Sequence, residues 1–358
     1  MKFSFTIVAL ICCAGFSYSQ SQHRDRQAQA ADSAFKPAGR LWASTFVDYS
    51  YIAESRSAPL VGTNSFTFRR IYLGYDQEIS GHFAARVLLQ SDNADTSLNG
   101  AMSFYVKHAY LEWKELVPSS SIYFGLSQTP SIALSEQIWA YRSIEKVILD
   151  RKALVQTSDM GVGMRGRFSE EGSSGYALMV GNGQGVKEET DKLKRIYAEY
   201  HVAPLKGSTF ELYSDFENSP FSGQRITGKA LLGFQSVTAS VGAEGFYRTI
   251  KNGMSGPSGG DSAIAGASVF GSFGVVPRVR GVLRLDYYDA DVTVTNAGDR
   301  EFFGIAGIDF APARDVSLIP NAEYTHRIYK NKISGSPTLP DDLVLRLTVA
   351  YAFSAAVP

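Results

Sequence analysis

Apolar and polar residues alternate at every second position along most of this chain. The first such segment places Leu41, Val47 and Tyr49 on one face and Ser44 and Asp48 on the other. A period of two is typical of a β-strand whose two faces meet different surroundings. The pattern therefore predicts an all-β protein.

The alternation recurs in about sixteen segments of about ten residues, the length that a tilted strand needs to cross a bilayer. The predicted spans are 41–51, 66–76, 82–92, 105–115, 121–128, 158–168, 174–182, 193–202, 208–216, 225–235, 237–249, 263–274, 279–289, 301–310, 315–327 and 342–353.

The connections between these segments alternate between short and long. Even-numbered connections are short, such as the QEISG turn after the second strand. The odd-numbered ones are longer: 52–65, 93–104, 129–157, 183–192, 217–224, 250–262, 290–300 and 328–341. Short periplasmic turns and longer extracellular loops are typical of an outer-membrane barrel. We therefore predict a transmembrane antiparallel β-barrel of about 16 strands, whereas a soluble β-sandwich leaves the loop parity unexplained.

Aromatic residues near the strand ends support the membrane barrel, because an aromatic girdle belongs at each lipid–water interface. Those on the apolar faces are Tyr49, Tyr51, Tyr75, Trp113, Tyr200, Tyr287 and Tyr351.

The N-terminus predicts export. A basic start, an apolar run and small residues before Gln20 form a signal peptide over 1–19. A polar lead then spans 20–38, and the barrel spans 39–354. Cys12 and Cys13 both lie in the leader, so the mature chain has no disulfide. The net charge of +0 argues against a bulk nucleic-acid binder. We expect the outer membrane of a Gram-negative-type bacterium as the location, with its lipid as a partner.

The faces opposite the apolar ones carry charges of both signs. Many unpaired charges would be costly in a dry core, so this face predicts a water-filled lumen. For each arginine, pairing with a neighbouring carboxylate is the alternative. The predicted lumen cations are Arg70, Arg86, Arg165, Arg167, Arg195, Arg284 and Arg346. The predicted anions are Asp48, Asp76, Glu112, Glu199, Glu211, Asp215, Glu244, Asp286 and Glu323.

The longest connection, 129–157, breaks the strand pattern. Between Ser135 and Leu154, apolar residues such as Ile138, Ile144 and Ile148 recur every few positions, as in a helix or a packed loop. We expect this third loop to fold inward and constrict the pore, with its apolar side chains packed on the barrel wall. Packing over the outer rim or onto a neighbouring subunit is the alternative. Its cations are Arg142, Lys146, Arg151 and Lys152.

Several stretches resemble the phosphate-selective porin O/P family of outer-membrane porins. They are FTFRRIYLGYDQEISGHFAARVLLQSD (66–92), VKHAYLEWKE, IYFGLSQTP, SDMGVGMRGRF, YALMVGNGQG, VLRLDYYDAD and LRLTVAYAF. The resemblance implies a sixteen-stranded channel, commonly trimeric, with an inward third loop and anion binding through arginines and loop lysines. Ser127 and Gln128 depart from the family, which has an aromatic residue and a lysine there.

The sequence thus predicts a porin that lets small hydrophilic solutes or ions diffuse passively, with a preference for anions or phosphate. The candidate pore-lining and anion-binding residues are Arg70, Arg86, Arg142, Lys146, Arg151, Lys152, Arg165, Arg167, Arg195, Arg284 and Arg346. No catalytic, metal or cofactor motif appears among the scattered histidines. A structural or adhesive barrel with a plugged lumen and, more remotely, a barrel enzyme are the alternatives. The expected assembly is a homotrimer.

Overall fold

The computed structural model describes residues 35–92, 101–169, 171–219, 223–252, 260–294, 299–330 and 340–357. The predicted signal peptide and residues 20–34 of the polar lead lie outside these ranges. Within them, no helix is both long and apolar enough to span a membrane.

Sixteen antiparallel strands close into one barrel, which confirms the predicted fold class. Each strand pairs with its sequence neighbours, and the first pairs with the last to close the ring. The strands are β1 Ala38–Glu54, β2 Asn64–Glu78, β3 Phe83–Asp92, β4 Tyr105–Val117, β5 Ser120–Gln128, β6 Ser158–Arg167, β7 Ser174–Gly181, β8 Arg195–Val202, β9 Ser208–Ser219, β10 Gly223–Gln235, β11 Ala239–Ile250, β12 Ser262–Val276, β13 Val279–Asp289, β14 Asp299–Ala313, β15 Val316–Tyr329 and β16 Asp342–Val357.

The two faces of the barrel differ as the alternation predicts. On β11, Val241 and Tyr247 are exposed on the outside, whereas Glu244, Phe246 and Arg248 are buried inside. An apolar outer face with charged residues inside is what strands surrounded by lipid require, since lipid cannot solvate charge.

The connections confirm the predicted parity with one exception. At one end of the barrel, here called the short-turn end, the connections have two to six residues. At the opposite, long-loop end, the fifth connection was predicted over 217–224, and that prediction is wrong. Because β9 extends to Ser219 and β10 begins at Gly223, only 220–222 remain. Glu217 pairs with Arg225 in the extended ladder, and such polar rungs carry no apolar alternation.

Two β-bulges shift the side-chain alternation of β2 and β4. One lies between Phe46 and Val47 of β1, where Arg69 of β2 is the extra residue. The other lies between Leu88 and Leu89 of β3, where Lys107 of β4 is the extra residue. A bulge places two successive residues against one partner, so the strand changes which residues face inward.

The 29-residue connection between β5 and β6, residues 129–157, folds into the barrel as predicted. It contains two short helices, α1 Ala133–Trp139 and α2 Ile148–Arg151. A single 3-10 turn, Ala58–Leu60, lies in the first long connection.

Candidate functional site: the internal loop and the charges around it

The third loop is held inside the barrel by an apolar cluster. Trp139, Ile144, Ile148 and Leu149 are each at most 1% exposed. Burial of each such side chain stabilises the folded state by about 1.5–3 kcal/mol, so the loop belongs to the folded core. Its partners project inward from β10 to β15 and are Leu231, Phe246, Phe270, Val282, Phe303, Ile305 and Ile319.

Two glycines of the wall let α1 approach closely. A Cβ atom on Gly233 of β10 would lie 2.2 Å from Cδ1 of Ile138, and one on Gly242 of β11 would lie 3.2 Å from its Cγ2. Ser240 of β11 donates a hydrogen bond to the Ile138 carbonyl at 2.6 Å. Because neither glycine has a side chain, α1 packs directly against the backbone of β10 and β11.

Buried polar contacts anchor the start of α1 to the same wall. Ser135 Oγ donates to Glu244 at 2.6 Å and accepts from Lys229 Nζ at 2.8 Å. Lys229 also pairs with Glu211 at 2.9 Å. A serine beside a lysine can form a nucleophile pair, but Ser135 is 0% exposed and cannot meet a substrate. This arrangement therefore serves as an anchor.

The loop cations Arg142 and Lys146 lie against carboxylates of the loop itself. Arg142 pairs with Glu136 and, at 2.8 Å, with Asp150. Its Nε also donates to the hydroxyl of Tyr72 on β2 at 3.1 Å, so the loop reaches this part of the wall. Lys146 Nζ lies 4.0 Å from Asp150 and is 37% exposed, which leaves it partly available.

Arg151 and Lys152 share one carboxylate of β14. Arg151 lies 2.9 Å and Lys152 2.7 Å from Glu301. Each also lies over an aromatic ring: Arg151 is 3.9 Å from the centre of Phe303, and Lys152 is 4.4 Å from that of Tyr288. Burial lowers the pKa of Lys152 below its ordinary value, against the opposing effect of Glu301. These two cations hold the loop and are not free for a solute.

The middle of the loop is tied to β2 through Arg69 and to β16 through Arg346, which donates to the Ile144 carbonyl at 3.4 Å. Arg346 pairs with Glu323 at 2.6 and 2.8 Å, while Arg69 pairs with Glu145 of the loop at 2.9 Å. Arg69 also lies 3.6 Å from Asp48. Burial alone would raise the pKa of Glu145, but the Arg69 guanidinium holds it below its usual range.

Four of the predicted wall arginines, including the Arg346 just described, pair with carboxylates of the same or an adjacent strand. Arg195 lies 2.9 Å from Asp215, and Arg86 lies 2.5 Å from Asp76. Arg284 lies 2.7 Å from Asp286 of its own strand and also donates to the Lys146 carbonyl of the loop at 2.5 Å. For these residues the alternative of pairing with a carboxylate is the one observed.

Three other predicted arginines have no carboxylate within 4.0 Å among the described residues: Arg70, Arg165 and Arg167. Arg70 is nevertheless 5% exposed, and its Nε has no hydrogen-bond partner in the described part of the chain. Arg165 donates to the carbonyl of Gln128 at 2.8 Å and lies 4.6 Å from the Tyr123 ring. Arg167 is exposed at the short-turn end.

The predicted lumen cations omit several inward ones, among them Arg69, Lys107, Lys229 and Arg248. Lys229 and Arg248 have the inward parity of their strands. Arg69 and Lys107 have the parity of the lipid face, and the two bulges turn them inward. A charged residue at an apolar position is itself a signal for a bulge, because lipid exposure of Arg or Lys costs about 2–4 kcal/mol at the bilayer midplane. Lys107 is 9% exposed and, among the described residues, donates to the Thr157 hydroxyl.

Cavities lie on both sides of the loop. The short-turn cavity, about 440 Å³, lies between the start of the loop and the wall of β5 to β8. The long-loop cavity, about 510 Å³, lies between the end of the loop and the wall of β8 to β11. Arg195, Arg225 and Arg248 line the second of these. In the described part of the chain, no cluster of His, Cys, Asp and Glu is arranged to hold a metal ion.

The fold is similar to that of solved outer-membrane proteins. The outer membrane channel DcaP of Acinetobacter baumannii has a TM-score of 0.66 at 13% identity, over 88% of this chain and 97% of that one. An anion-selective porin from Comamonas acidovorans has a TM-score of 0.62 at 11% identity, over 89% and 100%. The trimer form of OmpT, an outer membrane protein of Vibrio cholerae, has a TM-score of 0.59 at 8% identity, over 89% and 100%.

At these identities the likeness shows a shared fold. No family model and no curated protein matches this chain. The resemblance to the phosphate-selective porin O/P family therefore remains a prediction.

Proposed function

We propose that this protein is a porin of the outer membrane of a Gram-negative-type bacterium, exported by its signal peptide, through which small hydrophilic solutes and ions diffuse passively. The observation that carries this proposal is the position of the third loop inside the barrel. Its apolar side chains pack on β10 to β15 inside the barrel, and solvent cavities flank it toward both ends. Such a loop narrows the lumen, and selection then follows from width and electric field without chemical turnover.

A preference for anions is supported by cations that lack carboxylate partners. Arg70 and Lys107 are at most 9% exposed, and neither has a carboxylate within 4.0 Å among the described residues. A buried unpaired cation is costly, and a passing or bound anion offsets that cost. Arg142 and Lys146 add to the positive field around Lys107, although Asp150 opposes it. Phosphate is one anion of this kind.

Planar-bilayer conductance tests the porin function. We expect stepwise increases in current as single channels insert. In a potassium chloride gradient, the reversal potential should lie toward the equilibrium potential of chloride. Chloride, phosphate and sulfate salts then rank the anions. An absence of conductance in a folded barrel would refute the porin proposal, and a cation-selective reversal potential would refute the anion preference.

Deletion of residues 135–152 tests the constriction. Because β5 and β6 pair directly up to Gln128 and Ser158, the ladder does not depend on the loop. We expect a folded barrel with a higher single-channel conductance than the intact protein. Unchanged conductance would mean that the loop does not limit the pore.

The alternative of a structural barrel with a plugged lumen is favoured by one observation. The loop contacts the wall on both sides, through Ile138 against β10 and through Arg142 against Tyr72 of β2. In that case neither the intact protein nor variants with single substitutions in the loop would conduct, whereas the 135–152 deletion would.

We further propose a homotrimer in the membrane, as the resemblance implies. A trimer form has been described for the structurally similar OmpT of Vibrio cholerae. Native mass measurement in mild detergent should give three times the mass of the mature chain. A monomer under the same conditions would contradict the trimer without affecting the porin proposal.

A further inference from the structure

The short-turn cavity has the size of a small-molecule site. Its volume of about 440 Å³ falls within the range of roughly 300–1,000 Å³ found for ligand pockets. Pro130, Ala133 and Leu134, from the beginning of the third loop, supply an apolar part of its lining. The wall opposite is built by inner faces of β5 to β8.

Two arginines of β6 project into this cavity. Arg165 and Arg167 are two residues apart, so both side chains lie on the same face of the strand. The described residues place no carboxylate within 4.0 Å of either guanidinium. Arg165 is oriented by its hydrogen bond to the Gln128 carbonyl and by the ring of Tyr123, contacts that leave its charge uncancelled.

The other basic groups of the cavity are already neutralised by neighbours. Lys114 pairs with Glu78, and His201 lies 2.8 Å from Glu199. The exposed carboxylate of Glu115 also belongs to the lining. The positive charges of the cavity that have no carboxylate within 4.0 Å among the described residues are those of the two arginines. An arginine fork matches the two oxygens of a carboxylate, with which it forms paired hydrogen bonds.

We propose that the short-turn cavity binds a small organic anion that carries one carboxylate and a compact apolar body, such as an aromatic monocarboxylate. The carboxylate lies at Arg165 and Arg167, and the apolar body lies against Ala133 and Leu134 of the loop. Inorganic phosphate satisfies the arginines but leaves the apolar lining in contact with water. Acetate has the same deficiency, because its single methyl group covers little of that surface.

Calorimetric titration of the full-length protein in detergent tests this site, with sodium benzoate, acetate and phosphate as the probes. We expect benzoate to bind at least about tenfold more tightly than acetate, since burial of two or more extra carbons accounts for that factor. Arg167→Gln should weaken benzoate binding by about tenfold or more, as for a lost charged hydrogen bond. Because the Arg167 side chain is exposed, this substitution should leave the fold intact.

Lys206→Gln, on the exposed turn between β8 and β9, is the charge-matched control and should bind benzoate like the wild type. Arg165→Gln is the second variant, with its fold checked by circular dichroism. Equal affinities for benzoate and acetate, or unchanged benzoate binding in both arginine variants, would overturn the proposal. Calorimetry does not require conduction, so a failure of the porin proposal would remain distinguishable from a failure of this one.

Discussion

At the scale of single residues, the positive charges divide into those that hold the loop and those that remain unpaired. Arg151, Lys152 and Arg284 contact carboxylates or loop carbonyls within 3 Å. Arg70 and Lys107 contact no carboxylate among the described residues. Under the proposed function, the second group is the one available to a passing ion.

Replacement of Arg70 and Lys107 by glutamine should reduce the preference for anions. The guanidinium of Arg70 stays charged when it is buried, so its loss should move the reversal potential in a salt gradient toward that of a cation-selective channel. Lys206→Gln removes the same charge from an exposed turn and should leave the potential unchanged. Identical potentials in the double variant and the wild type would place the selecting field elsewhere.

Arg69 sets how the attachment of the loop responds to acid. It holds the pKa of Glu145 below its usual range, so the ionised carboxylate stabilises the fold. That contribution is present above about pH 4.3, the ordinary glutamate value, and is lost as the pH falls through the lowered pKa. In Arg69→Gln the pKa of Glu145 rises. We therefore expect the loss of stability on acidification to begin at a higher pH than in the wild type.

The measurement is the midpoint of thermal unfolding of the detergent-solubilised barrel from pH 7 to pH 3. At pH 7, Arg69→Gln should lower the free energy of unfolding by about 1.5–3 kcal/mol, the range for a hydrogen bond to a charged group. The Arg69→Gln/Glu145→Gln double variant completes the cycle and isolates the pair. Parallel pH profiles for Arg69→Gln and wild type would show that Arg69 does not control Glu145.

The direction and pairing of individual side chains could not all be predicted from the sequence. Alternation depends on an unbroken register, and the two bulges shift it at Arg69 and Lys107. The pairing of Arg195 with Asp215 joins β8 to β9, so it depends on the register between strands. Spacing along a single strand does not contain that information.

At the scale of elements, the close fit of α1 against β10 can be tested directly. Gly233→Val places a side chain where Ile138 packs, so α1 must move. Overpacking of this kind costs about 1–3 kcal/mol. We expect a lower midpoint of thermal unfolding and a changed single-channel conductance.

Gly228→Val is the matched control on the same strand. A Cβ atom there meets nothing within 4 Å, so stability and conductance should stay close to the wild-type values. Equal effects of the two substitutions would indicate a general response of β10 to valine and not a displaced loop.

The strands themselves were predictable because lipid and lumen impose opposite chemistry on the two faces. The inward loop was predictable as well, since Trp139, Ile144 and Ile148 require burial. The connection between β9 and β10 was not, because these strands continue as a polar hairpin in which Glu217 pairs with Arg225. There neither face is apolar, so the alternation ends before the strand does.

At the scale of the whole molecule, the barrel and its loop form one folded body with separable parts. The hydrogen-bonded ladder closes through β1 and β16 without any contribution from the loop. The loop in turn packs on the strands from β10 to β15 through the apolar cluster and contacts β2 through the Glu145–Arg69 pair. The deletion of 135–152 should therefore lower stability while leaving the closed ring intact.

The direction of the chain adds a consequence for folding. The loop lies between β5 and β6, yet the wall on which it packs is built by strands that follow it in the sequence. Closure of the ring likewise joins Gly39 to Val357, almost the full length of the chain apart. Contacts between distant residues form slowly. The narrow part of the barrel is thus assembled only after most of the wall exists, and a partly formed barrel is an open sheet without a constriction.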